Sequence, residues 1–258
     1  MTDLADAVAG AAAEAGALAM ARWRSDFRRW EKSPGNPVCD VDLEVDALLR
    51  DRLGTLDPEA GWLSEETVDN AGRLTKSRVW VVDPIDGTRD YLRGREGWAV
   101  SVALVEDGQP VIAVLDCPPR AAVFRAEAGQ GATLNGRPIH PATRTELAGA
   151  RVPTEALPKA DRDLTMVYRP NSIALRIAMV ACGEADLVAT LRWGHEWDIA
   201  AATLIAREAG AEISDALGQP LAFNTRSAEA FGVLATARGL HHTAVERLRE
   251  RAETAARR

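Results

Sequence analysis

The decapeptide Val79-Trp80-Val81-Val82-Asp83-Pro84-Ile85-Asp86-Gly87-Thr88 decides how the rest of the chain is read. Its first four residues are apolar and mostly β-branched, and such a run without polar alternation predicts a strand buried on both faces. Asp83-Pro84 closes that strand and opens a turn. Two carboxylates three residues apart and partly desolvated repel each other, and a cation that neutralises both makes the arrangement tolerable. Taken alone, Asp-Pro and Asp-Gly are also ordinary turn dipeptides.

Outward from this point the elements alternate. Leu4, Val8, Ala11, Ala15 and Leu18 recur at spacings of four and three, which predicts one amphipathic helix over residues 2 to 30. Pro34, Gly35 and Pro37 then break the chain, and Val41, Val45, Leu48 and Leu49 predict a second helix to about Leu53. Downstream, the apolar runs Trp98 to Val105 and Val111 to Leu115 around Asp107-Gly108 predict a hairpin in the middle of a sheet. Ala121 to Arg125 adds a strand, and Asn135-Gly136 a tight turn. Residues 141 to 165 carry no clear pattern. Ser172 to Cys182 reads as a helix, Asp186 to Thr190 as a short strand, Ile199 to Ala209 as a helix closed by Gly210, Phe231 to Ala235 as a strand and Ala244 to Ala255 as a charged final helix. This order, without repeat or linker, predicts a layered α/β fold. No Gly-rich phosphate loop of the Walker or dinucleotide type is present.

With 258 residues, 47% of them hydrophobic and 27% charged, the composition argues against disorder, and one globular domain is expected, built as two closely packed halves dividing near residue 140. The net charge of -7 argues against a nucleic-acid polymer or an anionic membrane as partner, since either would need a basic field. Cys39, Cys117 and Cys182 are odd in number and form no CxxC pair, so neither a disulfide framework nor a thiolate zinc site is supported, and a reducing cytoplasm fits. The N-terminus, with Asp3, Asp6 and Glu14 among alanines, reads as neither a signal nor a membrane span.

Two further acidic groups change the weight of the decapeptide. Leu63-Ser64-Glu65-Glu66-Thr67 precedes it, and Trp197-Asp198 opens the helix of Ile199 to Ala209. The first could be a solvated loop or helix start, the second a plain N-cap. Together they offer carboxylates and the Thr88 hydroxyl next to regular elements, as an oxygen-liganded site for hard cations such as Mg2+ requires.

In these motifs the chain resembles the inositol monophosphatase superfamily, which includes 3'(2'),5'-bisphosphate nucleotidases and fructose-bisphosphatase-like enzymes. The resemblance rests on Glu65-Glu66, on Asp83-Pro84-Ile85-Asp86-Gly87-Thr88, and on Trp197-Asp198-Ile199-Ala200-Ala201 with Glu208-Ala209-Gly210, and it runs from about residue 5 to 235 through Lys32-Ser33-Pro34 and Asp42. It implies an α-β-α-β-α sandwich and a Mg2+-dependent phosphomonoesterase with two or three ions. One ion would be held by Glu65, Asp83 and the Ile85 carbonyl, and a second by Asp83, Asp86 and Asp198. In such two-metal sites, with ions about 4 Å apart, one activates water and the other stabilises the departing ester oxygen. Glu65 and Thr88 would orient the water, with Asp42 holding the Thr88 hydroxyl. Asp86, Gly87, Thr88 and Asp198 would contact the substrate, a small phosphorylated metabolite. A homodimer and lithium sensitivity are expected by analogy.

For the substrate, Leu63-Ser64-Glu65-Glu66 and the run Gly97 to Val105 look closer to the bisphosphate nucleotidase branch, pointing to 3'-phosphoadenosine 5'-phosphate. Leu191 stands where inositol phosphatases of the animal type carry a polyol-binding glutamate, whereas Ile85 is the inositol-phosphatase choice. Inositol-1-monophosphatase and histidinol-phosphatase are therefore the alternatives, and an inactive cation-binding homologue is the non-enzymatic one. Asn171-Ser172 replaces the Gly-Ser of many relatives. His195, between Trp193 and Trp197, reads as structural, His241 and His242 as solvated, the tryptophans as core and interface filling rather than base-stacking platforms, and Arg89, Arg93 and Arg95 as a cationic rim able to recruit a second phosphate.

Overall fold

The computed structural model describes residues 2–257. Thr2 accepts the Ala5 N–H, and Asp3 and Asp6 favour the positive end of the helix dipole, so the first helix, α1 (Asp3–Arg22), starts where its apolar pattern begins. It stops eight residues short of the expectation, at a turn containing Arg24 with φ 64°. Trp23, Phe27 and Trp30 have helical spacing, but Trp23 and Phe27 pack onto Trp98 and Tyr91, with ring centroids 6.1 and 5.6 Å apart, from a bent backbone. The expected break at Pro34-Gly35 is instead the turn of an exposed hairpin, β1 (Arg29–Ser33) and β2 (Asn36–Cys39). The next helix is α2 (Asp40–Leu56), where Asp42 accepts the Cys39 N–H at 2.8 Å.

Next come β3 (Gly61–Ser64), β4 (Arg78–Asp86), the short α3 (Thr88–Leu92), β5 (Ala99–Glu106), β6 (Gln109–Cys117), β7 (Ala122–Glu127), β8 (Ala132–Leu134) and β9 (Arg137–Pro138). Their strands form one seven-stranded sheet in sequential order, antiparallel except for the parallel β3–β4 pair. Residues 141 to 165, unreadable from sequence, contain β10 (Arg151–Pro153), which pairs with β11 (Thr165–Val167). The chain ends with α4 (Ile173–Ala181), β12 (Leu187–His195), α5 (Ala200–Ala209), β13 (Glu212–Ser214), β14 (Glu229–Thr236) and α6 (His241–Ala256). A second sheet has the order β12-β14-β13.

The layers follow from what each strand face buries. Trp80 and Val82 of β4 pack with α1 and α2, while Val79 and Val81 pack with α4 and α5. That is why the run shows no polar alternation. The far side of α4 and α5 covers the second sheet, which α6 closes, giving the α-β-α-β-α sandwich. With 20 residues and a mean hydropathy of 1.3, α1 meets the length and composition of a membrane span, contrary to the sequence expectation. In the fold its Ala5, Val8, Ala12, Ala15 and Ala19 are buried in the core shared with α2 and the sheet.

Asp116 of β6 is 6% exposed and faces α1, where a Cβ on Gly16 would lie 2.2 Å from its Oδ2. Burial pushes its carboxyl up to about 6. A folded-state value above the unfolded one means that the stabilisation is complete below about pH 4 and lost as pH rises through the folded value. Asp116→Asn is expected to raise unfolding free energy by about 2 kcal/mol at pH 8 and hardly at all at pH 4, read by urea denaturation at both.

Candidate metal centre

Parallel pairing sets Ser64 of β3 opposite Val82 of β4, and the Glu65 N–H donates to the Val82 carbonyl at 3.3 Å. The next residues, Glu65 and Asp83, therefore leave the sheet side by side. Between Asp83 and Asp86 the β4–β5 register shifts, Asp83 facing Ser101 and Asp86 facing Ala99, so the Pro84-Ile85 bulge re-aims both carboxylates. Asp198 arrives from the junction of β12 and α5. That junction is anchored by Glu196, fully buried, which accepts the Asn224 and Thr225 N–H groups at 2.6 and 2.9 Å. The His195 N–H donates to Asp198 Oδ2 at 3.2 Å.

Oxygens of Glu65, Asp83 and Asp198 thus lie within 4.8 Å of one another. Asp86 lines the same cleft, of about 180 Å³, but its Oδ2 is engaged by the Ser172 hydroxyl at 2.5 Å and the Ala174 N–H at 2.8 Å, at the start of α4. The Ile85 carbonyl receives the Thr88 hydroxyl at 3.1 Å, and Asp42 Oδ1 lies 3.3 Å from the same hydroxyl. Gly87 takes φ 99°, where a Cβ would meet the Gly97 carbonyl at 2.6 Å, so only glycine lets the turn approach the segment leading into β5 and the start of α4.

Burial, and then the charges of Glu65, Asp86 and Asp198, push the Asp83 carboxyl well up. Burial likewise raises Asp86, with Asp198 adding to it, and Asp198, with Glu65 adding to it. Asp42 rises to about 6 through burial, against the Cys39 hydrogen bonds. Lys32 bridges Glu65 and Glu66 at 3.0 and 2.8 Å, and although burial pulls its amine down, the two glutamates hold it above its ordinary value. The buried Asp83 and the half-buried Glu65 and Asp198 converge into a hard-oxygen donor set that fits Mg2+.

Residues 1–253 match the inositol monophosphatase family. The chain belongs to that family. A Nus factor SuhB of Xylella fastidiosa is 38% identical over 204 residues, 73% of this chain and 72% of that one. An inositol-1-monophosphatase of Rhizobium meliloti is 33% identical over 208 residues, 72% of this chain and 75% of the other. The extragenic suppressor protein SuhB of Bartonella henselae superposes with a TM-score of 0.84 at 25% identity, covering 96% of this chain and 99% of that one. As an inositol monophosphatase family member the chain is a phosphatase of phosphate monoesters, in a family that is metal-dependent, typically on Mg2+.

The family resemblance did not point to the guanidinium groups. Arg169, Arg176 and Arg192 line the cleft beside the carboxylates. Arg176 is 9% exposed, and burial, with Arg169 and Arg192 nearby, lowers it to about 10. The available signal was one charge inside the otherwise apolar Ile173–Ala181. Arg89, Arg93 and Arg95 gather with Arg169 and Tyr168 around an adjoining cleft of about 510 Å³, with Arg89, Arg169 and Asn171 shared between the two. His195 stacks on Trp197 at 4.3 Å. His241 departs from the expectation of a solvated residue: it sits between Ser214 Oγ at 3.0 Å and Thr236 Oγ1 at 3.2 Å, and burial lowers its pKa. Trp80 and Trp98 are buried in the core, whereas Trp30 and Trp193 are exposed.

Proposed function

We propose that this phosphatase removes one phosphate from a nucleoside 3'(2'),5'-bisphosphate, with 3'-phosphoadenosine 5'-phosphate as the substrate, in the cytoplasm. The observation carrying this reading is the company the carboxylates keep: Arg169, Arg176 and Arg192 line their cleft, and the cationic cleft of Arg89, Arg93 and Arg95 adjoins it. In the adjoining cleft Arg89, Arg93, Arg95 and Arg169 outnumber Asp90 and Glu155, and guanidinium groups suit phosphate recognition, so this cleft suits an ester with a second phosphate better than a neutral polyol. Leu191 has no carboxylate to offer inositol hydroxyls. Inositol monophosphate is the second reading, favoured by the likeness to inositol-1-monophosphatases.

Glu65, Asp83, Asp86 and Asp198, with the Ile85 carbonyl, are the residues proposed to hold Mg2+. When bound it supplies the positive charge that offsets the phosphate and acidifies water. The Thr88 hydroxyl, held between the Ile85 carbonyl and Asp42, is proposed to orient the attacking water together with Glu65. The Gly87 and Thr88 N–H groups face phosphoryl oxygens, and Arg176 and Arg192 complement the remaining charge.

Phosphate release from 3'-phosphoadenosine 5'-phosphate, inositol 1-phosphate and histidinol phosphate, measured in parallel, is expected to give the first the highest kcat/KM. A preference for inositol 1-phosphate would overturn the nucleotidase reading. Thr88→Val is expected to lower kcat by roughly 10²-fold with KM nearly constant, and Thr88→Ser to restore most of it.

A further inference from the structure

Arg169, Arg176 and Arg192 border the metal cleft on one side and a second chamber, of about 410 Å³, on the other. Its lining is of a different kind. Val152 and Leu157 come from β10 and the segment after it, Ala189 and Leu191 from β12, and Leu248 from α6. Two more arginines there, Arg247 and Arg251, are tied to Asp161 at 3.1 and 2.7 Å and are neutralised as anion receptors. The chamber therefore has apolar walls with guanidinium groups at its border with the metal cleft, where Arg176 is held by the Ser172 and Asn171 carbonyls and Arg169 lies 3.7 Å from Glu155.

We infer that this chamber is the specificity pocket for the aromatic or heterocyclic ring of the ester's leaving group. The volume suits one fused ring system, and small-molecule sites of this kind combine apolar walls with few polar groups. A guanidinium plane at the mouth can stack on such a ring. β12 is the border strand of its sheet, and a border strand presents unpaired backbone N–H and C=O groups, which match the donor and acceptor edge of a heterocycle. A polyol would lose water from its hydroxyls here without enough partners. The inference rests on the phosphomonoesterase reading of the cleft, not on the second phosphate.

The test uses the full chain with Mg2+ and two monoesters of equal phosphate charge, adenosine 2'-monophosphate and glycerol 2-phosphate. Ala189 is exposed and lines the chamber, so Ala189→Trp fills it. Leu157→Trp does so from the opposite segment. Either variant is expected to raise the ratio of KM for the adenosine ester to KM for the glycerol ester at least about tenfold. An unchanged ratio in both overturns the pocket. Should neither variant fold, the wild-type protein decides: adenosine must inhibit glycerol 2-phosphate hydrolysis competitively at least about tenfold more tightly than ribose, and equal inhibition overturns it. A ring preference without any preference for adenosine 3',5'-bisphosphate over the 2'-monophosphate sinks the bisphosphate reading alone.

Discussion

Asp83→Asn is expected to lower kcat by roughly 10³-fold or more, while making the protein stripped of divalent ions harder to unfold. Asp83 is 1% exposed, and its oxygens share a space with those of Glu65 and Asp198. Without an ion, those like charges are desolvated and repel, with Lys32 reaching Glu65 alone among them. An amide keeps the shape and removes a charge, so thermal unfolding in a chelator should move up by about 1–3 kcal/mol equivalent. Mg2+ should reverse the order, because an ion that binds only the folded state stabilises by RT ln(1 + [Mg2+]/Kd), and the wild-type donor set binds it more tightly. Undiminished turnover in the variant, or a lower midpoint in chelator, would show that these carboxylates are not a metal centre.

The second large effect is Gly87→Ala. All three atoms that an added Cβ would meet are backbone: the Gly97 carbonyl at 2.6 Å, the Ser172 nitrogen at 3.0 Å and the Trp98 Cα at 3.1 Å. No side-chain rotation relieves that crowding, and φ 99° adds its own strain. A loss of roughly 3 kcal/mol or more in urea denaturation is expected. Activity should fall further than stability, because the turn carries Asp86 on one side and Thr88 on the other. Gly129→Ala is the control: it has φ 76° but nothing within 4 Å, so only about 1 kcal/mol should be lost. Equal costs at both positions would remove the packing argument for Gly87.

The parts of this molecule legible in the sequence are those whose pattern is local. β4 was readable because both of its faces are covered, and α4 and α5 because their periods are uninterrupted. β3 was not: Gly61–Ser64 is four residues long and is held by parallel pairing to a strand whose partners lie 18 residues on. The end of α1 was not legible, because Trp23 and Phe27 are placed by stacking on Trp98 and Tyr91, far along the chain. Glu65, Asp83, Asp86 and Asp198 were singled out through motif resemblance, but parallel pairing sets Glu65 beside Asp83, a bulge re-aims Asp86, and the junction of β12 and α5 brings in Asp198. Arg169, Arg176 and Arg192 belong to no motif and meet only through the packing of α4 beside β12. Ser172 was seen, but its hold on Asp86 needed the folded distance.

Glu65 and Asp83 hang from the first sheet, whereas Asp198 hangs from the seam where β12 runs into α5. An ion bridging them would act as a rivet between two slabs that are also tied directly where the Phe223 N–H meets the Gly108 carbonyl and Arg73 meets Asn224. Catalytic competence and mechanical integrity of the seam would then be one property. Loosening Ile205, buried in the core between the sheets, would blunt the reaction well before the molecule came apart.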